Sequence, residues 1–159
     1  MTTFKDTIII DAPKERVWAT IADLGGIQQF HPGVSRSYYL SDQREGVGAS
    51  RRCELLPMGT VDEKAVDWQP GREFTLEIVP GPKAPPFKEA HGRMWVEEDE
   101  AGTLVGLQID YQLKFGPLGR VMDRFLVQPQ FRKVVPRILR GLKRYQEDGE
   151  VNPNLRQAS

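Results

Sequence analysis

Residues 117–149 read PLGRVMDRFLVQPQFRKVVPRILRGLKRYQEDG. This is the one segment long enough to form a major helix, and it directly follows a series of sheet-like segments. Its apolar residues fall at Leu118, Val121, Met122 and Phe125, then at Phe131, Val134, Val135, Ile138, Leu142 and Tyr145. Steps of three and four place each group on one side of a helix. The phase resets between Phe125 and Phe131, and Pro129 lies in the gap. A proline inside a helix removes a backbone bond and costs about 3 kcal/mol. The pattern therefore predicts a break near Pro129 and a kink at Pro136. A single long amphipathic helix closing over a curved antiparallel sheet can leave a space between the two, and that space is the place to look for function.

Upstream, Phe4, Ile8, Ile9 and Ile10 mark a first strand over Thr3–Asp11. Ala12-Pro13 opens a short helix, with Pro13 suited to the first helical position. Val17, Trp18, Ile21 and Leu24 form its apolar stripe, and Gly25-Gly26 ends it. A second short helical turn, Ile27 to Phe30, stops at His31-Pro32, because the residue before a proline is pushed toward extended geometry. From Val34 to Phe115 six strands are expected, at roughly 34–41, 48–56, 60–68, 72–79, 89–98 and 103–115. Turns separate them at 42–46, Pro57-Met58-Gly59, Pro70-Gly71, the long 80–88 loop and 99–102. The fold class is α+β, with one domain over residues 1–149 and a polar, frayed tail over 150–159.

Composition fits an ordinary globular chain, with 39% hydrophobic and 28% charged residues in 159. Basic and acidic residues balance at 22 each, so net charge gives no argument for nucleic acid. The balance is uneven, however. Arg120, Arg124, Arg132, Lys133, Arg137, Arg140, Lys143 and Arg144 face only Asp123, Glu147 and Asp148 in the final helix. A solvated face explains this, and an anionic partner or membrane surface is the alternative. One cysteine, Cys53, allows no intrachain disulfide, which suits a reducing compartment. With no signal-like apolar core after Met1 and no apolar run near the ~20 residues that span a bilayer, a cytoplasmic protein is expected.

Alternation assigns strand faces. Val105, Leu107, Ile109, Tyr111, Leu113 and Phe115 share one side of the last strand and point inward. Phe74, Leu76 and Ile78 do so in another, and Met94 and Val96 in a third. Trp68 and Trp95 fall on the exterior, where together they suggest an apolar patch and a homodimer contact. In the hairpin around Pro57-Met58-Gly59, one face carries Ser50, Arg52, Glu54, Asp62 and Lys64. The other carries Ala49, Arg51, Cys53, Leu55, Val61, Glu63 and Ala65. If Leu55 opposes Val61, then Cys53 opposes Glu63 and Arg51 lies one diagonal step away. Either a structural ion pair or a polar ligand anchor in an apolar pocket accounts for two charges on that face.

Motifs for other chemistries are missing. His31, His91 and Cys53 lack metal-ligand spacing, no glycine loop cradles phosphate, and no metal or cofactor is implied. Cys53 sits mid-strand among apolar neighbours and reads as core. His31 is either a capped loop histidine or a hydrogen-bond donor or general base at a pocket mouth.

The order of strand, two short helices, six strands and long C-terminal helix resembles the helix-grip fold of the START/birch-pollen-allergen superfamily, SRPBCC. More narrowly, the chain resembles its polyketide cyclase/dehydrase group. The carrying residues are IDAPKERVW at 10–18, IADL at 21–24, FHPGV at 30–34, GVG at 46–48 with Arg51, VDE at 61–63, WQPGR at 68–72 and GLK at 141–143. The resemblance implies a curved seven-stranded antiparallel sheet around the long helix, with a hydrophobic cavity used in relatives for lipids, hormones or polyketides. It also implies that the 80–88 loop gates the cavity mouth.

Three functions are consistent with these residues. The first is binding of a hydrophobic small molecule in a pocket formed by Phe30, His31, Phe74, Leu76, Met94, Tyr111, Met122 and Phe125 and polarised by Arg51 and Glu63. The second is a cyclase or dehydratase, with His31 or Glu63 as base and Tyr111 or Arg51 stabilising an oxyanion. The third is an interaction module whose cavity is filled by its own side chains.

Overall fold

A computed structural model describes residues 1–55 and 59–157. The Pro57-Met58 part of the expected hairpin turn lies outside the described residues. Seven strands form one antiparallel sheet in the order β1-β7-β6-β5-β4-β3-β2. They are β1 (Thr2–Ile10), β2 (Val34–Tyr39), β3 (Ser50–Leu55), β4 (Gly59–Gln69), β5 (Glu73–Pro80), β6 (Phe87–Asp99) and β7 (Gly102–Leu113). Helix α1 (Lys14–Ala22) and a 3-10 segment (Leu24–Gln29) join β1 to β2. After β7 come α2 (Gly116–Met122), a π-helical turn (Asp123–Val127), α3 (Gln128–Asp148) and a short 3-10 segment (Pro153–Gln157). This is the helix-grip arrangement expected from the sequence.

The long helix buries Val135, Ile138, Leu139 and Leu142 and packs mainly on β1 and less on β7. Gly141 permits the close approach at its far end. A Cβ there would lie 2.1 Å from the Phe30 carbonyl oxygen. The helix thus leans on one side of the sheet, and the inner faces of the other strands stay partly uncovered.

Neither proline breaks this helix. Pro129 directly follows the π turn, at the start of α3, and the helix runs on through it. The π turn inserts one extra residue ahead of it, with Gln128 N–H closing the turn onto the Asp123 carbonyl. Pro136 lies within continuous α-helix.

The sense of the α2 segment is the reverse of the sequence reading. Gly119, Asp123 and Val127 point inward and are buried, whereas Leu118, Val121 and Phe125 are exposed. Asp123 explains the inversion. Its carboxylate accepts hydrogen bonds from Tyr111 Oη (2.5 Å), Thr2 Oγ1 (2.8 Å) and Gln128 Nε2 (2.8 Å). These tie the helix to β7 and β1 through a polar residue and turn its apolar stripe outward. Phe115, expected inward on the last strand, is 65% exposed. The strand ends at Leu113, and Phe115 turns the chain with φ 71°.

The tryptophans also depart from simple alternation. The register shifts between Ala65 and Asp67, and this irregularity carries Trp68 to the inside. There it stacks on Phe74 (5.2 Å between centroids) and meets Trp18 edge-on (5.7 Å). Trp95 remains on the other face but is buried. It lies over Gly106, where any Cβ would come 2.0 Å from its ring, and it is flanked by Lys5 and Arg93. No exterior tryptophan patch forms among the described residues, so the dimer contact inferred from it loses its basis.

The start of the polar tail packs back on the fold at Asn152, whose N–H donates to the Gln29 carbonyl. Asn152 is buried, and its side-chain amide donates to the backbone carbonyls of Gln28, His31 and Val34.

Candidate functional site

Strands β3 and β4 bring Arg51 directly opposite Glu63. The register differs by two residues from the one expected, because Leu55 pairs with Gly59 and Cys53 with Val61. Arg51 Nε donates to Glu63 Oε2 at 2.5 Å, and Arg51 Nη1 donates to the Leu24 carbonyl at 2.9 Å. The Arg51 and Glu63 side chains are only 6% and 14% exposed. Burial pulls the Arg51 pKa down, but the adjacent Glu63 carboxylate outweighs it and holds arginine above its ordinary value. The Cys53 thiol donates to the same Glu63 oxygen at 3.7 Å. Burial pushes its pKa up to about 12, so it stays a thiol.

His31 approaches from the opposite side, on the turn after the 3-10 segment. Asn152 holds its backbone carbonyl at 2.7 Å. Its Nδ1 accepts the Gly33 N–H at 3.0 Å, so the neutral ring carries its proton on Nε2. Burial lowers its pKa to about 4; Glu63 opposes the shift and Arg51 adds to it. Near neutral pH His31 is therefore an uncharged hydrogen-bond donor. Proton abstraction through Nδ1 would first require breaking the Gly33 contact.

His31, Arg51 and Glu63 form the polar end of a cavity of about 200 Å³ between α3 and the sheet. Its walls are Phe74, Leu76 and Ile78 of β5, Ala90, Gly92 and Met94 of β6, and Leu107 and Ile109 of β7. Val127, Gln130, Phe131, Val134 and Ile138 cover it from the helix. Pro85, in the connection between β5 and β6, and Phe87, the first residue of β6, also line it, as do Ile27, Leu55 and Val61. Glycine at position 92 keeps the wall thin where a side chain would project toward Ile78.

Of the residues expected to form the pocket, His31, Arg51, Glu63, Phe74, Leu76 and Met94 come together here. Phe30, Tyr111, Met122 and Phe125 do not. Phe30 is buried in the core, and its neighbourhood opens on a different groove, beside Arg137 and Arg144. Tyr111 is fully buried, with its hydroxyl committed to Asp123. Burial first, and the Asp123 carboxylate second, raise the Tyr111 pKa well above the usual phenol value. Met122 is partly buried against the core outside the cavity, and Phe125 is 69% exposed. Phe131, Val134 and Ile138 were legible as an apolar stripe, but the sequence gives no sign that part of this stripe faces a void. Gln130 has no sequence signal of its own.

No curated protein matches the chain. Solved structures do. A Thermus thermophilus protein is 23% identical with a TM-score of 0.72, covering 99% of each chain. XoxI of Bacillus cereus is 19% identical with a TM-score of 0.72, covering 94% of this chain and 99% of its own. The aromatase/cyclase Zhui from Streptomyces sp. R1128 is 19% identical with a TM-score of 0.68, covering 91% of this chain and 94% of its own. At these identities the likeness speaks to fold, and it agrees with the sheet and helix described above. The family described as polyketide cyclase / dehydrase and lipid transport matches residues 1–147, essentially the whole helix-grip unit, and the chain belongs to that family.

Proposed function

We propose that this protein binds a compact, largely apolar small molecule in the cavity beneath α3. The molecule would carry one hydrogen-bond acceptor, such as a carbonyl or phenol oxygen, directed at the His31–Arg51 end. The observation that carries the reading is the cavity itself: a mainly hydrocarbon lining, with a neutral imidazole donor and a compensated arginine at one end. Apolar walls supply the free energy of transfer, and a few fixed polar groups supply orientation. Size limits the ligand. A cavity of roughly 150 Å³ admits benzene, so about 200 Å³ suits one or two rings.

A cyclase reading draws on the same polar end, where His31 Nε2–H and Arg51 would stabilise a carbonyl oxygen as it gains negative charge. Glu63 is engaged by Arg51 and His31 carries its proton on Nε2, so neither is set up as a ready base. This favours binding over turnover.

The test is direct binding of an uncharged naphthylamine fluorophore. Met94→Trp, which fills the cavity, is expected to weaken binding by about tenfold or more, while a change at exposed Val79 leaves it unaltered. Equal binding by wild type and Met94→Trp would place the fluorophore elsewhere and refute the reading.

A further inference from the structure

The exposed apolar residues of the C-terminal region are not scattered. Phe115, Leu118, Val121, Phe125 and Leu126 are each 56–71% exposed, and all fall within one short stretch ahead of α3. Isolated surface hydrophobes are ordinary, but a contiguous group on one helical stretch marks an interaction face. Two further features point the same way. Phe115 is the one non-glycine residue with positive φ among the described residues (71°), a conformation that costs an aromatic residue about 1 kcal/mol or more. Its ring is nonetheless left in solvent. Asp123, with its three hydrogen bonds, fixes the helix so that this stripe faces out.

The charges around the stripe are of one sign. Lys114, Arg120, Arg124, Arg132 and Lys133 are exposed, and none forms a salt bridge among the described residues. The one acidic residue between Lys114 and Arg144 is Asp123, which is buried. At the root of the stripe, Lys88, Lys114 and Arg120 line a groove of about 630 Å³ together with the hydrogen-bonded Asp123.

We infer that this face docks on an anionic lipid bilayer. Phe115, Leu118, Val121 and Phe125 would enter the headgroup–acyl boundary, and the flanking cations would meet lipid phosphates. A second copy of the chain fits the face less well, because a twofold contact would set the same unpaired cations against each other. Docking would also bring the helix wall of the cavity, which starts at Val127, close to the membrane surface.

Cosedimentation with vesicles tests this inference. Wild-type protein is expected to partition onto phosphatidylcholine vesicles containing about 30% phosphatidylglycerol at least tenfold better than onto pure phosphatidylcholine, and to lose that binding as salt rises. Leu118→Ser/Phe125→Ser and Arg120→Glu/Arg124→Glu are each expected to weaken partitioning by about tenfold or more. Circular dichroism and fluorophore binding in the cavity should stay unchanged, because neither pair lines it. Absence of binding to the anionic vesicles overturns the proposal, as does binding that both variants retain. A wild-type dimer by sedimentation equilibrium that Leu118→Ser/Phe125→Ser converts to monomer would also overturn it and assign the face to self-association.

Discussion

At the scale of single residues, the ion pair and the histidine define the site. Arg51 and Glu63 were recognisable because two charges interrupt an otherwise apolar strand face, and alternation alone put them there. Their exact register was not legible, since it depends on a turn whose length the sequence does not announce. Removing one partner of a buried pair leaves an uncompensated charge. Glu63→Gln should therefore cost about 3–5 kcal/mol in chemical denaturation, whereas Glu54→Gln, on the solvated face, should stay within about 0.5 kcal/mol. Equal effects would mean that Arg51 is not buried against Glu63. His31 gives a pH signature. Its folded pKa of about 4 lies below the ordinary 6.5, so the unfolded chain takes up a proton first as pH falls. Stability should then drop between pH 6.5 and 4, by up to about 3 kcal/mol from this group. Denaturation at about pH 7 and about pH 4.5 should show a smaller loss in His31→Gln than in wild type. An identical loss in both would show that His31 is not held neutral by its surroundings.

At the scale of elements, periodicity identified every strand and the long helix but erred where local geometry interrupts the period. The irregularity at 65–67 turned Trp68 inward, and a π turn at Asp123–Val127, in place of a break at Pro129, interrupts the α-helical repeat. Both are one-residue insertions, which a pattern of apolar positions registers only as a change of phase. The α2 stripe fails for a different reason. Apolar residues normally mark the buried side of a helix, but here the bonds to Asp123 outweigh that preference and leave the stripe outside. Composition carries no trace of such long-range bonds, so Asp123 looked like any other helix acid. Tyr111 was misplaced with it: its inward direction was legible, but the acceptor that draws its hydroxyl away from the cavity was not.

At the scale of the whole molecule, the helix leans toward β1 and leaves β3 to β7 to wall a void. The fold follows from the order and type of elements, which the sequence pattern conveys well. The size of the void does not, because it depends on how far Gly141 lets the helix approach the Phe30 backbone and on which bulky side chains happen to meet. Apolar walls of this kind gain packing contacts when a molecule lies between them. Native mass spectrometry of freshly purified protein is the most direct measurement. The account predicts that a small organic molecule is retained by the wild type and lost on Met94→Trp. Wild-type protein that carries no molecule, and that takes up none when titrated with small aromatic compounds, would contradict it.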